Sequence, residues 1–239
     1  MAGERTARVW AWIGAAREGA APVSLAALCQ AAVGRLAVDG ASVTAVSGPA
    51  VREPLSATGE LSAQLEELLF TTGEGPSAED FMFGSPMLIP DLEQVTERWP
   101  GFVPAAVAAG ARALFAFPLQ AGTIRVGVLS LYRAQPGPLT PQRLADALVF
   151  ADIALQLLLD SAAGISGLAG YQPLDGLSGS RVEVYQATGM ISVQLGVTLE
   201  EALVRLRAHA FAAGTPLDNV ARDVVRRLLR FDPDPGPAA

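Results

Sequence analysis

Between residues 161 and 180 the chain loses its hydrophobic periodicity and becomes rich in glycine, so any cores it builds must lie on either side of this stretch. The two sides carry different patterns. Before it, short alternating runs are mixed with helical stripes; after it, three helical stripes follow one another without a strand-like run. With 239 residues, the division predicts one large α+β domain, an antiparallel sheet covered by helices, followed by a small all-α three-helix domain. The expected boundaries are an N-terminal helix within 1–22, the α+β domain at 23–160, a linker at 161–180, the helical domain at 181–231 and a disordered, proline-containing tail at 232–239.

Hydrophobic residues make up 51% and charged residues 17% of the chain, a balance that supports packed cores and excludes a wholly disordered protein. The single cysteine, Cys29, excludes an intramolecular disulfide framework and multi-cysteine metal or iron–sulfur sites. Residues 1–20 mix acids and arginines with apolar residues and so lack a signal-peptide core. Apolar runs elsewhere end well short of the roughly 20 residues that cross a bilayer, so no membrane span is expected. All 17 basic residues are arginine, which points to a GC-rich coding genome; together with the cysteine usage this places the chain in a bacterial cytoplasm.

The net charge of −7 is unevenly distributed. Residues 1–180 carry −7, residues 181–231 carry +2, and the tail carries the remaining −2. A mildly basic module joined to an acidic one is a pattern seen where one segment contacts nucleic acid.

Within the larger half, residues 5–20 read as a helix with Val9, Trp10, Trp12 and Ile13 near one face. Ser24 is a candidate N-cap for a second helix carrying Leu25, Leu28, Ala32 and Leu36. Strands are expected at 41–47 and 51–55 and a helix at 61–70. A long irregular loop follows at 71–90, then a helix at 103–109. Strands at 113–119 and 123–132 form a hairpin through a turn at Gln120-Ala121-Gly122. A long helix at 140–160 places Leu144, Leu148, Ala151 and Leu155 on one stripe.

An ordered series of short motifs runs through this half: Gly73-Glu-Gly-Pro76, Pro90-Asp91-Leu92, Arg98-Trp99-Pro100 with Phe102, Phe117-Pro118-Leu119, and Gly127-Val128-Leu129 with Leu131-Tyr132-Arg133. On these motifs residues 23–160 resemble the GAF domains of actinobacterial regulators. The resemblance implies a sensory domain that takes an unidentified small-molecule or protein signal, or dimerises through its outer helices. Asp91 and Arg98 are candidates for a charged ligand, against local salt-bridging or capping. Trp99 and Phe102 are candidates for a pocket wall, against anchoring of the loop to the core. Haem needs a histidine or cysteine facing the cavity. The only histidine, His209, lies in the other half, and Cys29 sits on the first helix of the domain, away from the loops where a bilin attaches, so no cofactor is expected.

In the smaller half, helices are expected at 181–195, 199–213 and 217–230. Val184, Ile191 and Leu195, then Leu199, Ala202, Leu206 and Ala210, then Leu217, Val220, Val224 and Leu228 form the three apolar stripes of one bundle. Thr198 and Glu201 fit a capping box, and Gly196 and Gly214 stand where helices end. Arg222, Arg226 and Arg230 fall at i, i+4 and i+8, a row able to follow phosphates. Asp218 before Arg222 and Asp223 before Arg227 offer a competing reading, helix-stabilising pairs worth about 0.2–0.5 kcal/mol each. Arg205, Arg207 and His209 on the middle helix form a second candidate patch, although Arg205 also follows Glu201 by four.

Gln186-Ala-Thr-Gly-Met190, Val193-Gln-Leu-Gly-Val197, Glu200-Glu-Ala202, Leu206-Arg-Ala208, Pro216-Leu217 and Asn219-Val-Ala221 resemble an ANTAR domain across residues 181–231. That family is a three-helix module that binds hairpin RNA and prevents transcription termination. The resemblance implies hairpin RNA as partner, with Arg205, Arg207, His209, Arg222, Arg226, Arg227 and Arg230 as the contact candidates. Many members carry lysine where this chain has Thr188, which removes one phosphate contact. Cysteine–histidine pairs, nucleophile elbows, phosphate-binding glycine motifs and metal-spaced ligands are missing from the sequence, so no enzyme is expected. The chain thus reads as a homodimeric antiterminator regulated by its sensory half. The alternative is a non-enzymatic signalling protein that acts through protein contacts.

Overall fold

The computed structural model describes residues 2–17, 19, 22–46, 52–76, 84–162 and 178–232. The chain divides into two units, Met1–Gln172 and Pro173–Ala239. Most of the expected linker, 163–177, the middle of the long loop, 77–83, and the tail 233–239 lie outside the described residues.

The first unit runs α1 (Ala2–Ala15), α2 (Leu25–Leu36), β1 (Gly40–Val46), β2 (Arg52–Ala57), α3 (Gly59–Thr72), β3 (Met87–Ile89), a 3₁₀ turn (Leu92–Val95), α4 (Val103–Ala108), β4 (Ala113–Ala121), β5 (Ile124–Arg133) and α5 (Pro141–Ala162). Its five strands form one antiparallel sheet in the order β2-β1-β5-β4-β3. Strand β3 and the 3₁₀ turn fall at the end of, and just beyond, a segment whose composition predicts only a loop; three residues of strand are too few to show a period. The hairpin turn is Gly122-Thr123, later than expected. Ala121 pairs with Ile124, and Gly122 at φ 61° supplies the left-handed backbone that a two-residue turn needs.

Because side chains alternate across a strand, the sheet builds a core on each face. Ala41, Val43, Phe115, Phe117, Leu129 and Leu131 face one way and pack with α1, α2 and α5. Leu114, Ala116, Val128 and Tyr132 face the other way and pack with α3, the 3₁₀ turn and α4. Each fully buried large apolar side chain contributes about 1.5–3 kcal/mol relative to exposure. Ser24 caps α2 by accepting the Ala27 amide, as its position predicts. Helix α1 belongs to the first core: Val9 and Ile13 are fully buried, Trp12 stacks on Phe150 at 6.4 Å, and Arg5 and Arg8 reach Asp146 at 3.2 and 2.8 Å. On α5 the buried face is Ala147, Phe150, Ala151, Ala154 and Leu157, while Leu148, expected inside, is 43% exposed.

One polar cluster interrupts the second core. Glu66 of α3 is 4% exposed, and its carboxylate accepts the hydroxyls of Ser42 (2.7 Å), Thr44 (2.6 Å) and Tyr132 (2.5 Å). Those donors stand on β1 and β5, so the cluster pins α3 to the middle of the sheet. Burial and the neighbouring Glu66 charge hold the Tyr132 phenol well above its ordinary value. Cys29 is fully buried against the opposite core, and burial pushes its thiol up to about 12 despite a hydrogen bond with Ser56.

The second unit is a three-helix bundle of α6 (Ser178–Leu195), α7 (Leu199–Ala213) and α8 (Leu217–Val225). Its core is Val184, Ala187, Ile191, Ala202, Leu203, Leu206, Ala210, Leu217, Val220, Ala221 and Val224. The Thr198 hydroxyl accepts the Glu201 amide, while the Glu201 carboxylate turns to Arg205. Gly196 and Gly214, at φ 66° and 59°, end their helices as expected.

Two outcomes follow. Tyr132→Phe removes one of three hydroxyl donors from a buried carboxylate, and the expected loss is about 1–3 kcal/mol. It is read as a lower denaturant midpoint in tryptophan fluorescence, which follows the first unit alone because Trp10, Trp12 and Trp99 all lie there. Cys29 is expected to resist iodoacetamide at pH 8 in the native chain and to react only on unfolding. Its contribution to stability is complete below the unfolded thiol value near 9 and is lost as pH rises toward 12.

Candidate functional site

The last helix stops earlier than its pattern predicts. Helix α8 ends at Val225, and Arg227 adopts φ 61°. The Arg227 amide donates to the Val224 carbonyl and the Leu228 amide to the Asp223 carbonyl, at 3.0 and 2.8 Å. This is a Schellman closure with arginine where glycine is usual. The expected helix over 217–230 is therefore corrected, and Arg222, Arg226 and Arg230 do not form a helical row. Leu228, expected in the bundle core, is 74% exposed. Downstream the chain is tied back to the bundle: the Phe231 amide donates to Gln194 Oε1 at 3.0 Å, and the Phe231 ring lies 5.3 Å from the His209 ring.

The candidate arginines separate into two groups. Arg222 is committed to the bundle, 3.3 Å from Glu183 of α6 and 3.6 Å from Asp218, with a hydrogen bond to Asn219 at 2.8 Å. Arg205 pairs with Glu201 at 2.9 Å, and Arg207 is half-buried. By contrast Arg226, Arg227 and Arg230 are exposed on the turn after α8. The Asp223–Arg227 pair is not formed among the described residues, because the left-handed turn carries Arg227 off the helix face. Thr188 is 3% exposed and spends its hydroxyl on the Val184 carbonyl at 2.7 Å, so this position presents nothing to a partner.

The middle helix holds residues that the apolar pattern missed. Leu199, expected in the core, is 53% exposed, and Leu203 takes the inner position. Val204 and Phe211 are 55% and 84% exposed. A stripe assigned through Leu199, Ala202, Leu206 and Ala210 leaves Val204 and Phe211 on the outward face, so the signal in the sequence was a large apolar residue outside the stripe.

In the first unit the four ligand candidates do not converge. Asp91 caps the 3₁₀ turn by accepting the Glu93 amide at 3.2 Å and also pairs with Arg112 at 3.2 Å. Arg98 lies over the Trp99 ring at 4.7 Å. Trp99 and Phe102, 2% and 0% exposed, pack into the second core, as the anchoring reading has it. Gly75 of the Gly73-Glu-Gly-Pro76 motif sits at φ 124°, and a Cβ there would come within 2.3 Å of Leu69. The adjacent Glu74 accepts the Gly101 amide at 2.8 Å. The motif is thus a latch between the end of α3 and the loop before α4. A cleft of about 210 Å³ lies elsewhere, between β4 and α5, bordered by Phe117, Gln120, Leu148 and Leu155; desolvation raises the carboxyl of Asp152 at its rim. Among the described residues, no cluster of three His, Cys, Asp or Glu side chains is placed to hold a metal ion, and no helix is long and apolar enough to cross a membrane.

Comparison with known proteins agrees with this division. The ANTAR domain family model matches residues 178–225, the span from the start of α6 to the end of α8. The first unit is similar to the GAF domain of a phosphoenolpyruvate-protein phosphotransferase from Coxiella burnetii, at 15% identity and TM-score 0.52, covering 69% of this chain and 97% of that one. It is also similar to the corresponding GAF domain from Acinetobacter, at 13% identity and TM-score 0.50, covering 70% and 98%. No curated protein matches the chain. The chain therefore joins a domain of GAF fold to an ANTAR domain.

The early helix stop has a direct check. Arg227→Gly relieves the left-handed arginine, and the second unit is expected to gain about 0.5–1 kcal/mol, seen as a higher melting temperature by circular dichroism. Arg222→Ala is expected to destabilise the same unit by about 1 kcal/mol through loss of the α6–α8 ion pair, seen as a lower melting temperature.

Proposed function

We propose that this chain is an RNA-binding transcription antitermination regulator, in which the ANTAR domain binds hairpin RNA under the control of the GAF-fold unit. The observation that carries the reading is the ANTAR match over 178–225, immediately followed by the exposed arginines Arg226, Arg227 and Arg230. Guanidinium groups held on a short, closed turn present charge to a phosphate backbone with little further ordering, and phosphate neutralisation supplies most of the affinity for structured RNA. Arg207 and His209 form the second contact region on α7. Arg205 and Arg222, already engaged by carboxylates, contribute by holding the helices that display the others.

The GAF-fold unit receives a small-molecule or protein signal, and the long helix α5 with the segment after it transmits the change. Such control requires that the signal bind two states of the chain with different affinity. The protein acts as a homodimer in the cytoplasm, without catalysis.

The test is a titration of the full chain with a pool of hairpin RNAs at low and moderate salt, beside the double variant Arg226→Ala, Arg230→Ala. Affinity is expected to fall steeply with salt, and the double variant to reduce the salt slope by about 2, one per lost phosphate contact. Absence of binding at low salt would favour the protein-contact reading. Equal RNA affinity with and without residues 1–172 would count against sensory control.

A further inference from the structure

We propose that Phe211 is a stacking platform for an unpaired nucleobase, with Arg207 one turn earlier to meet the neighbouring phosphate. The proposal rests on the RNA reading above and sharpens it to a loop, as opposed to a stem, contact. Helix α7 gives Ala202, Leu203, Leu206 and Ala210 to the bundle. Its opposite face carries Val204 and Phe211, 55% and 84% exposed. Residues 204, 207, 208 and 211 stand at i, i+3, i+4 and i+7 and therefore share one face. Val204, Ala208 and Phe211 make an apolar strip about 10 Å long, wide enough for one or two bases, with a guanidinium on its flank.

A phenyl ring offered to water beside an arginine matches the chemistry of single-stranded nucleic acid. An unpaired base has a free π-face, and its backbone is anionic. A continuous duplex offers neither a free face nor an A-form major groove wide enough for side chains. Charge favours the same occupant: residues 181–231 carry +2 in a chain of net −7, which suits a polyanion. Phe211 and the exposed arginines of the turn after α8 stand on different elements and offer different chemistry, so the two divide the work. The turn neutralises phosphates wherever they lie, and α7 reads whether a base is free.

The experiment titrates the full chain with labelled stem–loop RNAs, one fixed stem with a randomised loop, and with the same stem as a blunt duplex. The wild type is compared with Phe211→Leu and Phe211→Tyr. Phe211→Leu keeps an apolar helix-forming residue at an exposed site and is expected to retain its circular dichroism. It should weaken loop binding roughly ten- to a hundredfold, with the salt slope unchanged because phosphate contacts persist. Phe211→Tyr should restore binding, and neither variant should alter duplex binding. Wild-type loop binding left intact in Phe211→Leu would overturn the proposal and leave the RNA reading standing. Failure of the wild type to bind any of the RNAs at low salt would overturn both. A change of Phe211→Leu from dimer to monomer by sedimentation would assign this face to contact between copies and overturn the proposal.

Discussion

Two backbone hydrogen bonds, from Arg227 to Val224 and from Leu228 to Asp223, decide where the C-terminal arginines stand. They close α8 while its last buried residue, Val224, is still in the bundle, and they force Arg227 into the left-handed region. Had the helix continued, Leu228 would extend the apolar stripe and Arg230 would stand one turn beyond Arg226. With the helix closed, Leu228 is exposed, Phe231 turns back toward α6 and α7, and three arginines are displayed on a tethered turn. A turn anchored at both ends loses less freedom on meeting a polyanion than a free tail would.

In the first unit the comparable constraint is the Glu66 cluster. A buried carboxylate is tolerated only with donors aimed at it, and here they come from the adjacent strands β1 and β5. The cluster fixes α3 and, through the Glu74–Gly101 latch, the loop before α4. The aromatic residues of that loop, Trp99 and Phe102, are part of the core. On the other face, α1 and α5 are coupled through Asp146 and the Trp12–Phe150 stack. The helix that leads toward the second unit is thereby seated on the sheet.

Much of this was legible in the residues. The two-part division, the antiparallel sheet, the Ser24 and Thr198 caps and the glycine helix ends all follow from local rules that the packing does not override. What escaped was set by tertiary context. The end of α8 carries no glycine or proline to announce it, and the stripe Leu217, Val220, Val224, Leu228 continues past the true stop. Strand β3 exists because β4 offers an edge to pair with. Leu148 lies at a stripe margin, where rotation of a helix by a fraction of a turn decides inside from outside; Leu199 is the first residue of α7, and Phe211 falls outside the stripe altogether. Residue-type reasoning names the arginines as candidates, and their ion pairs and burial separate Arg205 and Arg222 from Arg226, Arg227 and Arg230.

The central claim, that RNA recognition resides in the C-terminal helical unit, is tested most directly by comparing the full chain with a chain ending at residue 172 in binding to stem–loop RNA. Native tryptophan fluorescence confirms that the shorter chain is folded. The account predicts salt-sensitive binding by the full chain and none by the shorter one. Comparable RNA affinity in the chain that ends at residue 172 would contradict it.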